Sequence, residues 1–408
     1  MNKNHNKQVF WLLDSRFDFL LFSFMQEFEI EKQDIVLVNS YHNKMRNSWN
    51  KIYIPVEKKQ SVYLMEPDDI NSLFSKILRP DINSLVISFT GAKLPERDNV
   101  ISLMSTGAVA EMCNNKWWQY CCFKESKILT PQTYHYCDLE TLQSDFSLLI
   151  DKHEKFIIKK PCLSGGYQMK VISTGEDIKY YKMKLQNEDI VQDFLVSEYI
   201  PHQQSFASMG VVKKDRKVFF IDIITEQMLY KEVAYEGLLY PVFLDNENLR
   251  EIRRMTERIG VELGRNGYYG FYNVDFVLGN DECLYAIEIN ARLGFCIILA
   301  ACIYGKKIWK LLQGDYAEQI ELPKKRLILG KIKGKEGTWY SNLKSCSDIT
   351  NWFQNQDGYF KTFFCGMDEP ELFTYGSYIG LFGEFFDEKE TRTEIIHKFW
   401  EKCIEYYI

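Results

Sequence analysis

Apolar and polar positions near the N-terminus of this 408-residue chain follow an alternating pattern of strands and helices. Short apolar runs rich in β-formers occupy residues 8–13, 34–39 and 85–90. A polar, helix-compatible stretch, DDINSLFSKIL, precedes the last run. Strands that alternate with helical patterns are typical of α/β structure. The sequence therefore predicts a small α/β layer over residues 1–112.

The middle of the chain predicts a second α/β region and then two hairpins. The pattern over 156–200 is strand, loop, strand, helix and strand, and 206–227 form a hairpin around the charged turn KKDRK. Apolar residues then recur at helical spacing, namely Leu249, Ile252, Met255, Ile259 and Leu263. Gly264 is expected to end this helix. In NVDFVLGNDECLYAIEIN, a Gly-Asn-Asp turn at 279–281 between two apolar runs predicts the second hairpin.

The segment 318–408 predicts a small β/α unit. Its stretch YGSYIGLFGEFF has the pattern of two strands around glycine turns. Asp387 and Glu390 can then form the start of a final helix in the manner of a capping box. The apolar stripe of that helix consists of Ile395, Ile396, Phe399, Trp400, Cys403 and Ile404.

Composition narrows the class of protein. The chain is 46% hydrophobic and 26% charged, which is typical of a globular protein, and its net charge of −6 with scattered lysines and arginines argues against a nucleic-acid partner. Asp14, Arg16 and Asp18 interrupt the N-terminal apolar run, and no run approaches the ~20 residues that span a bilayer. The eleven cysteines include no CxxC pair and no zinc-ligand spacing, which favours reduced thiols over disulfides or a zinc site. We therefore expect a cytoplasmic protein without nucleic-acid or membrane partners.

The second predicted hairpin carries a set of polar residues on one face. Asp275 lies on its first strand, and Glu288, Asn290 and Arg292 follow on the second at intervals of two residues. Two carboxylates and an amide oxygen suit Mg²⁺ that bridges nucleotide phosphates, and a guanidinium there can hold a carboxylate or a transferring phosphate. The alternative interpretation is a strand with a polar, solvent-facing side.

The stretch FIIKKPCLSGGYQMKVI, residues 156–172, combines a strand with a glycine loop. Lys160, at the end of the strand, can direct its ammonium at phosphate oxygens, and Gly165 and Gly166 allow backbone N–H groups to face a polyanion. The P-loop pattern GxxxxGK[ST] is absent, so this is a different kind of loop. A plain hairpin corner is the alternative interpretation of the two glycines.

The order of these motifs resembles the ATP-grasp superfamily over roughly residues 113–300, with Asp275…Glu288-x-Asn290-x-Arg292 as the most specific element. The resemblance implies an α/β (α+β) ATP-grasp fold that follows a small Rossmann-like pre-ATP-grasp domain and precedes a C-terminal β/α appendix. The implied domains are 1–112 (pre-ATP-grasp), 113–200 (small subdomain with a glycine-rich lid loop), 201–317 (large subdomain with the metal site) and 318–408 (appendix).

The resemblance also implies roles for individual residues. Phosphate and lid-loop contacts are implied at Lys116 (in CNNKWWQ), Lys160, Gly165 and Gly166. Adenine and ribose contacts are implied at Glu198, Tyr199, Ile200 and Gln204. Two Mg²⁺ ions, with Mn²⁺ as an alternative, are implied at Asp275, Glu288 and Asn290. Catalytic roles are implied for Arg292 and Lys160. Bulky side chains stand where the family's lid usually has small ones, at Tyr167, Gln168 and Met169.

Enzymes of this family use ATP to convert a carboxylate into an acyl phosphate, which a nucleophile then attacks. The resemblance therefore implies a ligase that joins an amino-acid or peptide carboxylate to an amine. A homodimer is one candidate assembly. Three alternatives stay open: loading of an amino acid onto a carrier-protein thiol, a kinase that phosphorylates a hydroxyl, and a non-catalytic nucleotide-binding protein. Candidate substrate-pocket residues lie in ITEQMLYKEVAYEGLLYP, at Glu226, Gln227, Tyr235 and Tyr240.

Overall fold

The computed structural model describes most of the central part of the chain and separate segments on either side of it. The described residues are 7–12, 20–30, 35–39, 62–64, 78, 81–88, 94, 97–162, 169–185, 193–230, 234–294, 296–313, 326–331, 360–361, 374–375 and 378–383. The expected lid glycines Gly165 and Gly166 and the predicted final helix lie outside the described residues, as does the stretch DDINSLFSKIL apart from Leu78.

A parallel sheet forms the N-terminal layer. Its strands are β1 (Lys7–Leu12), β2 (Ile35–Asn39), β3 (Val62–Leu64), β4 (Asn83–Ser88) and β5 (Val100–Ser102), in the order β3-β2-β1-β4-β5. The three predicted runs correspond to β1, β2 and β4. Helix α1 (Leu21–Phe28) follows β1. Trp11 of β1 and Phe24 of α1 pack edge to face against each other and against Trp309, which joins this layer to the core of the large sheet.

The small antiparallel sheet lies beneath a layer of helices. Its strands are β6 (Thr133–Tyr136), β7 (Phe156–Lys159), β8 (Lys170–Ile172) and β9 (Phe194–Glu198), in the order β6-β9-β7-β8. The helices of this region are α2 (Gly107–Asn114), α3 (Lys116–Glu125), α4 (Leu139–Ser144), α5 (Phe146–His153) and α6 (Gly175–Leu185). The predicted sequence of elements over 156–200 is therefore confirmed.

A nine-stranded antiparallel sheet forms the centre of the molecule. Its strands are β10 (His202–Val212), β11 (Val218–Tyr230), β12 (Ala234–Tyr240), β13 (Gly270–Gly279), β14 (Leu284–Asn290), β15 (Arg326–Lys331), β16 (Phe360–Lys361), β17 (Thr374–Tyr375) and β18 (Tyr378–Gly383). The order is β14-β13-β10-β11-β12-β15-β18-β16, with β17 paired to β18. Strands β15 to β18 of the expected appendix thus continue the sheet that carries the two predicted hairpins.

The helices against this sheet are α7 (Asn246–Arg265), α8 (Cys296–Tyr304), a 3₁₀ turn (Gly305–Trp309) and α9 (Lys310–Gln313). Helix α7 continues through Gly264, so the predicted end of this helix is wrong. A Cβ at Gly264 would lie 3.1 Å from Val212 Cγ1, so this glycine allows the helix to approach β10 closely. The chain turns at Gly267 instead, where φ is +85° and glycine is the residue without a steric penalty.

Strands β13 and β14 form the predicted hairpin. Asp275 pairs with Glu288, and Asn273 pairs with Asn290. Val274 and Phe276 point to the opposite side, into the core shared with α7. Strand β14 lies at the edge of the sheet, so its outer backbone groups need partners from another element.

The cysteines and the helices of the described part of the chain bear on two predictions from composition. The cysteines with described side chains are free thiols: Cys113, Cys121, Cys122, Cys137, Cys162, Cys283 and Cys296. Among the helices that the structure describes, none has the length and apolar character needed to cross a membrane.

Candidate active site

Asp275 lies at the centre of a polar cluster on the large sheet. Its two carboxylate oxygens accept hydrogen bonds from Gln227 Nε2 and Asn290 Nδ2, both at 2.9 Å. Burial raises the pKa of Asp275 to about 7, and the adjacent charge of Glu288 adds to this rise. The hydrogen bonds and the charge of Arg292 oppose it. The surroundings of the Asp275 carboxyl group therefore favour a proton or a bound cation at this position.

Glu288 lies beside Asp275 and contacts a lysine from another element. Lys116 Nζ, at the start of α3, is 3.1 Å from Glu288 Oε1, and the Lys116 side chain is 8% exposed. Burial by itself raises the pKa of Glu288, but the charges of Lys116, Arg292 and Lys159 outweigh burial and lower it. Glu288 is therefore ionised at neutral pH, and the cluster contains both an anionic carboxylate and several cations.

The second lysine that faces this cluster is Lys159, whereas the sequence assigned that role to Lys160. Phe156 and Ile158 are fully buried against the helices, so successive residues of β7 alternate between the helix layer and the other face of the small sheet. Burial lowers the pKa of Lys159 to about 8, Glu288 opposes this change and Lys116 adds to it. Lys160 Nζ instead lies 3.9 Å from the ring centroid of Phe194, on the helix side. The expectation that Lys160 faces the cluster is therefore corrected: Lys159 lies beside Glu288 and Lys116, and Lys160 lies against Phe194.

Helix α3 also binds the edge of β14 through Gln119, a residue that sequence analysis missed. Gln119 is 1% exposed and imitates a neighbouring strand: its Nε2 donates to the carbonyl of Ile289 at 2.6 Å, and its Oε1 accepts from the Ile289 N–H at 3.0 Å. Ile289 stands between Glu288 and Asn290. Gln119 thus satisfies the outward N–H and carbonyl of Ile289, in the strand that carries Glu288 and Asn290.

Asn114 provides a further contact at this junction and was likewise missed. Its Oδ1 accepts a hydrogen bond from Arg292 Nη1 at 2.6 Å, while its Nδ2 donates to the carbonyls of Ala110 and Ala291. Two asparagines directly before Lys116 are the sequence feature that marks this junction.

The residues expected to hold adenine lie at the end of β9. The Glu198 carboxylate accepts from the Gln132 N–H at 3.3 Å and lies 3.9 Å from His153 Nδ1, so this side chain faces the helix layer. Tyr199 and Ile200 are buried, and a Cβ at Gly279 would lie 3.2 Å from Ile200 Cγ2. This strand end thus packs against the turn of the hairpin that carries Asp275.

The remaining candidates have different positions. Gln204 is partly buried on β10, opposite Leu278 of β13. Gln227, one of the suggested pocket residues, contacts Asp275 directly. Tyr240 packs against the core between the N-terminal layer and the large sheet, which gives it a structural position. The side chain of Tyr235 lies outside the described residues.

The donor set at the hairpin fits Mg²⁺. Asp275, Glu288 and Asn290 offer carboxylate and amide oxygens, and Mg²⁺ is usually held by one or two carboxylates together with substrate phosphates and water. The described part of the chain contains no group of three or more His, Cys, Asp or Glu side chains arranged to hold a metal. A site with two carboxylates and an amide would therefore depend on phosphate oxygens for its further ligands.

Comparison with known proteins agrees with this geometry. Residues 113–295 match the family model described as ATP-grasp domain. The chain is also 28% identical over 185 residues to the [Butirosin acyl-carrier protein]--L-glutamate ligase of Niallia circulans, a match that covers 44% of each protein. The matched part thus spans less than half the length of this curated relative.

Solved structures share the fold over nearly the whole chain. Carboxyaminoimidazole ribonucleotide synthase from Aspergillus clavatus, complexed with ATP, superposes with a TM-score of 0.69 at 12% identity and covers 99% of both chains. L-amino acid ligase from Bacillus licheniformis superposes with a TM-score of 0.62 at 12% identity and covers 98% of both. At such identities the likeness establishes the fold. Residues 113–295 therefore match an ATP-grasp domain, and nearly the whole chain shares the fold of these solved structures.

Proposed function

We propose that this protein is an ATP-dependent ligase that activates a carboxylate as an acyl phosphate and transfers the acyl group to a nucleophile. The observation that carries the proposal is the pair Asp275 and Glu288, faced by two lysines and by Arg292. Phosphoryl transfer depends on positioning and charge neutralisation more than on covalent protein chemistry. A polar cluster of this kind supplies both.

The cations of the cluster would bind the anionic parts of the substrates. Lys116 and Lys159 would hold phosphate oxygens of ATP as compact charges, and Asp275, Glu288 and Asn290 would hold two Mg²⁺ ions or Mn²⁺ in their place. The metal ions, when bound, neutralise charge on the triphosphate. Glu198 to Ile200 and Gln204 would contact the nucleoside, and Gly165 and Gly166 would close over the phosphates.

The chemistry would proceed in two steps. A carboxylate oxygen attacks the γ-phosphorus, the bond to the β,γ-bridging oxygen breaks, and ADP leaves. The nucleophile then attacks the acyl carbon, loses its proton, and displaces inorganic phosphate. Arg292 would hold the carboxylate in the first step and stabilise the oxyanion of the tetrahedral intermediate in the second.

Two nucleophiles are supported by different observations. An amine is supported by the fold shared with L-amino acid ligase. The thiol of an acyl-carrier protein is supported by the sequence similarity to the butirosin ligase, whose name specifies a carrier protein and L-glutamate. We therefore propose L-glutamate as the first carboxylate to test. A homodimer is also proposed, by analogy with the dimeric biotin carboxylase domain from Hydrogenobacter thermophilus.

A hydroxylamine trap tests the reaction class. The protein is incubated with ATP, Mg²⁺, hydroxylamine and a panel of amino acids that includes L-glutamate. We expect ADP, phosphate and one amino-acid hydroxamate. A phosphoester product would instead indicate a kinase, and binding of ATP without turnover on any acid would indicate a non-catalytic protein.

The nucleophile is tested separately with the acid that gives a hydroxamate. An acyl-carrier protein bearing its phosphopantetheine thiol and a panel of amines are offered in parallel, and products are identified by intact mass. A mass increase of the carrier protein that hydroxylamine reverses would identify a thioester. Amide formation without carrier loading would exclude the thiol.

A further inference from the structure

Asn114 uses both ends of its amide to connect helix α2 with the strand that leads to Arg292. Its Nδ2 donates to the carbonyls of Ala110, at 2.7 Å, and of Ala291, at 3.3 Å. Because both amide hydrogens are directed at backbone carbonyls, the plane of the amide is fixed and its Oδ1 atom faces the Arg292 guanidinium. Arg292 Nη1 donates to it at 2.6 Å.

Arg292 needs such an anchor because it lies beyond the end of β14. Its backbone N–H donates to the carbonyl of Asn290 at 2.8 Å, after the last ladder pair of the strand. The junction between α2 and α3 holds the neighbouring residues as well, since Lys116 pairs with Glu288 and Gln119 bonds to Ile289. Asn114 extends this row of contacts to the guanidinium.

We propose that Asn114 is a positioning residue for Arg292, an inference that rests on the proposed function. The guanidinium is a planar fork with five N–H donors, so a fixed Nη1 determines where the other donors point. Asn114 thereby sets the orientation of the Arg292 guanidinium, which the proposed function assigns to the carboxylate and the acyl phosphate. A reacting group displaced by about 1 Å can lower a rate by about 10²-fold.

The test is a double-mutant cycle on hydroxamate formation with ATP, Mg²⁺ and the amino-acid panel. Asn114→Ala should lower kcat by about 10- to 100-fold and leave the KM for ATP within about threefold, because Lys116 and Lys159 retain the phosphates. In an Arg292→Ala background, Asn114→Ala should lower the residual rate by less than about threefold, since the group it positions is gone.

Asn115 provides the matched control. Its side chain caps α3 by accepting from the Trp117 and Trp118 N–H groups. Asn115→Ala should therefore change the rate by the same factor with and without Arg292. Asn114→Ser replaces Asn114→Ala in the cycle if the alanine variant does not fold, as judged by circular dichroism.

The outcomes separate the two levels of inference. The positioning role would be overturned if Asn114→Ala lowered the rate by the same factor with and without Arg292, or if it raised the KM for ATP as much as it lowered kcat. The ligase proposal would stand in either case. Absence of hydroxamate from the wild-type protein with every acid would overturn the ligase proposal and the positioning role with it.

Discussion

The acidic side of the candidate site, with Asp275 and Glu288, lies on a long hairpin, whereas the lysine side consists of Lys159 at the end of the short strand β7 and Lys116 at the start of α3. Strands β13 and β14 have a ladder in which Asp275 faces Glu288 and Asn273 faces Asn290. Strand β7 has only four residues, Phe156–Lys159, before the chain leaves the small sheet. The two sides of the site therefore differ in how strongly the sequence determines their geometry.

This difference shows what determines the face on which a side chain lies. In the hairpin, the turn fixes the register and the two-residue period then places Asp275 and Glu288 together. At the end of β7, Lys159 and Lys160 are adjacent, and residues on opposite faces of a strand alternate, so the sequence alone does not show which lysine faces the site. Phe156 and Ile158 are buried against the helices, so Lys159 lies on the opposite face of β7, toward Glu288.

The largest expected effect lies on the acidic side. Glu288→Ala removes a proposed metal ligand and the partner of Lys116, so ATP turnover should fall by at least about a hundredfold. ADP release in the presence of the active acid measures this loss. Glu288→Gln, which keeps the side-chain volume, should fall nearly as far because the negative charge is what Lys116 and the metal require.

A surface glutamate supplies the control for this prediction. Glu176 is 80% exposed and pairs with Lys179 on α6, so Glu176→Ala should leave turnover within about twofold of wild type. Near-normal turnover in Glu288→Ala, with its fold intact, would show that the metal assignment is wrong. The acidic and lysine sides would then no longer form one site.

The next largest effect compares the two lysines directly. Lys159→Met should lower kcat/KM for ATP by about 10- to 50-fold, because it removes a charge beside Glu288 and Lys116. Lys160→Met keeps an apolar contact with Phe194 and should change kcat/KM by less than about threefold. A larger loss in Lys160→Met than in Lys159→Met would restore the original assignment and reverse the argument from β7.

These cases show how much of the site the sequence could predict. The fold, the hairpin and the grouping of Asp275 with Glu288 follow from local periodicity and a recognisable motif. The choice of Lys159 depends on which face of β7 packs against helices from elsewhere in the chain. Gln119 and Asn114 act on residues about 170 positions away, and no local pattern marks a helix amide that will bond to a distant strand edge.

A smaller effect is expected when Gln119, which bonds to the strand of the acidic side, is substituted. This effect concerns the free energy of unfolding. Gln119→Leu leaves the N–H and carbonyl of Ile289 without their partner in a buried position, which should cost about 2–4 kcal/mol in the free energy of unfolding. Urea denaturation measures this change. The same substitution at the exposed Gln143 of α4 should stay within about 0.5 kcal/mol of wild type.

A result of about 0.5 kcal/mol or less for Gln119→Leu would mean that water or another group replaces its amide at the edge of β14. The hairpin would then hold its geometry without help from α3. The acidic side would depend on its ladder alone, which would sharpen the contrast with β7.

The smallest effect is expected at the start of α6, which packs on the helix face of the small sheet that contains β7. Burial alone raises the pKa of Asp177, but hydrogen bonds from the Ser173 and Thr174 backbone N–H groups and hydroxyls outweigh it and lower the pKa overall. Its contribution to stability is therefore fully present above the unfolded pKa of about 4 and is lost as pH falls through the lower folded pKa.

Asp177→Asn should remove this dependence, so that wild type takes up as much as about one more proton than the variant on acid unfolding. Urea titrations between pH 2 and pH 6 measure the difference, and parallel curves for the two proteins would show that the capping bonds at Asp177 contribute nothing that depends on its charge.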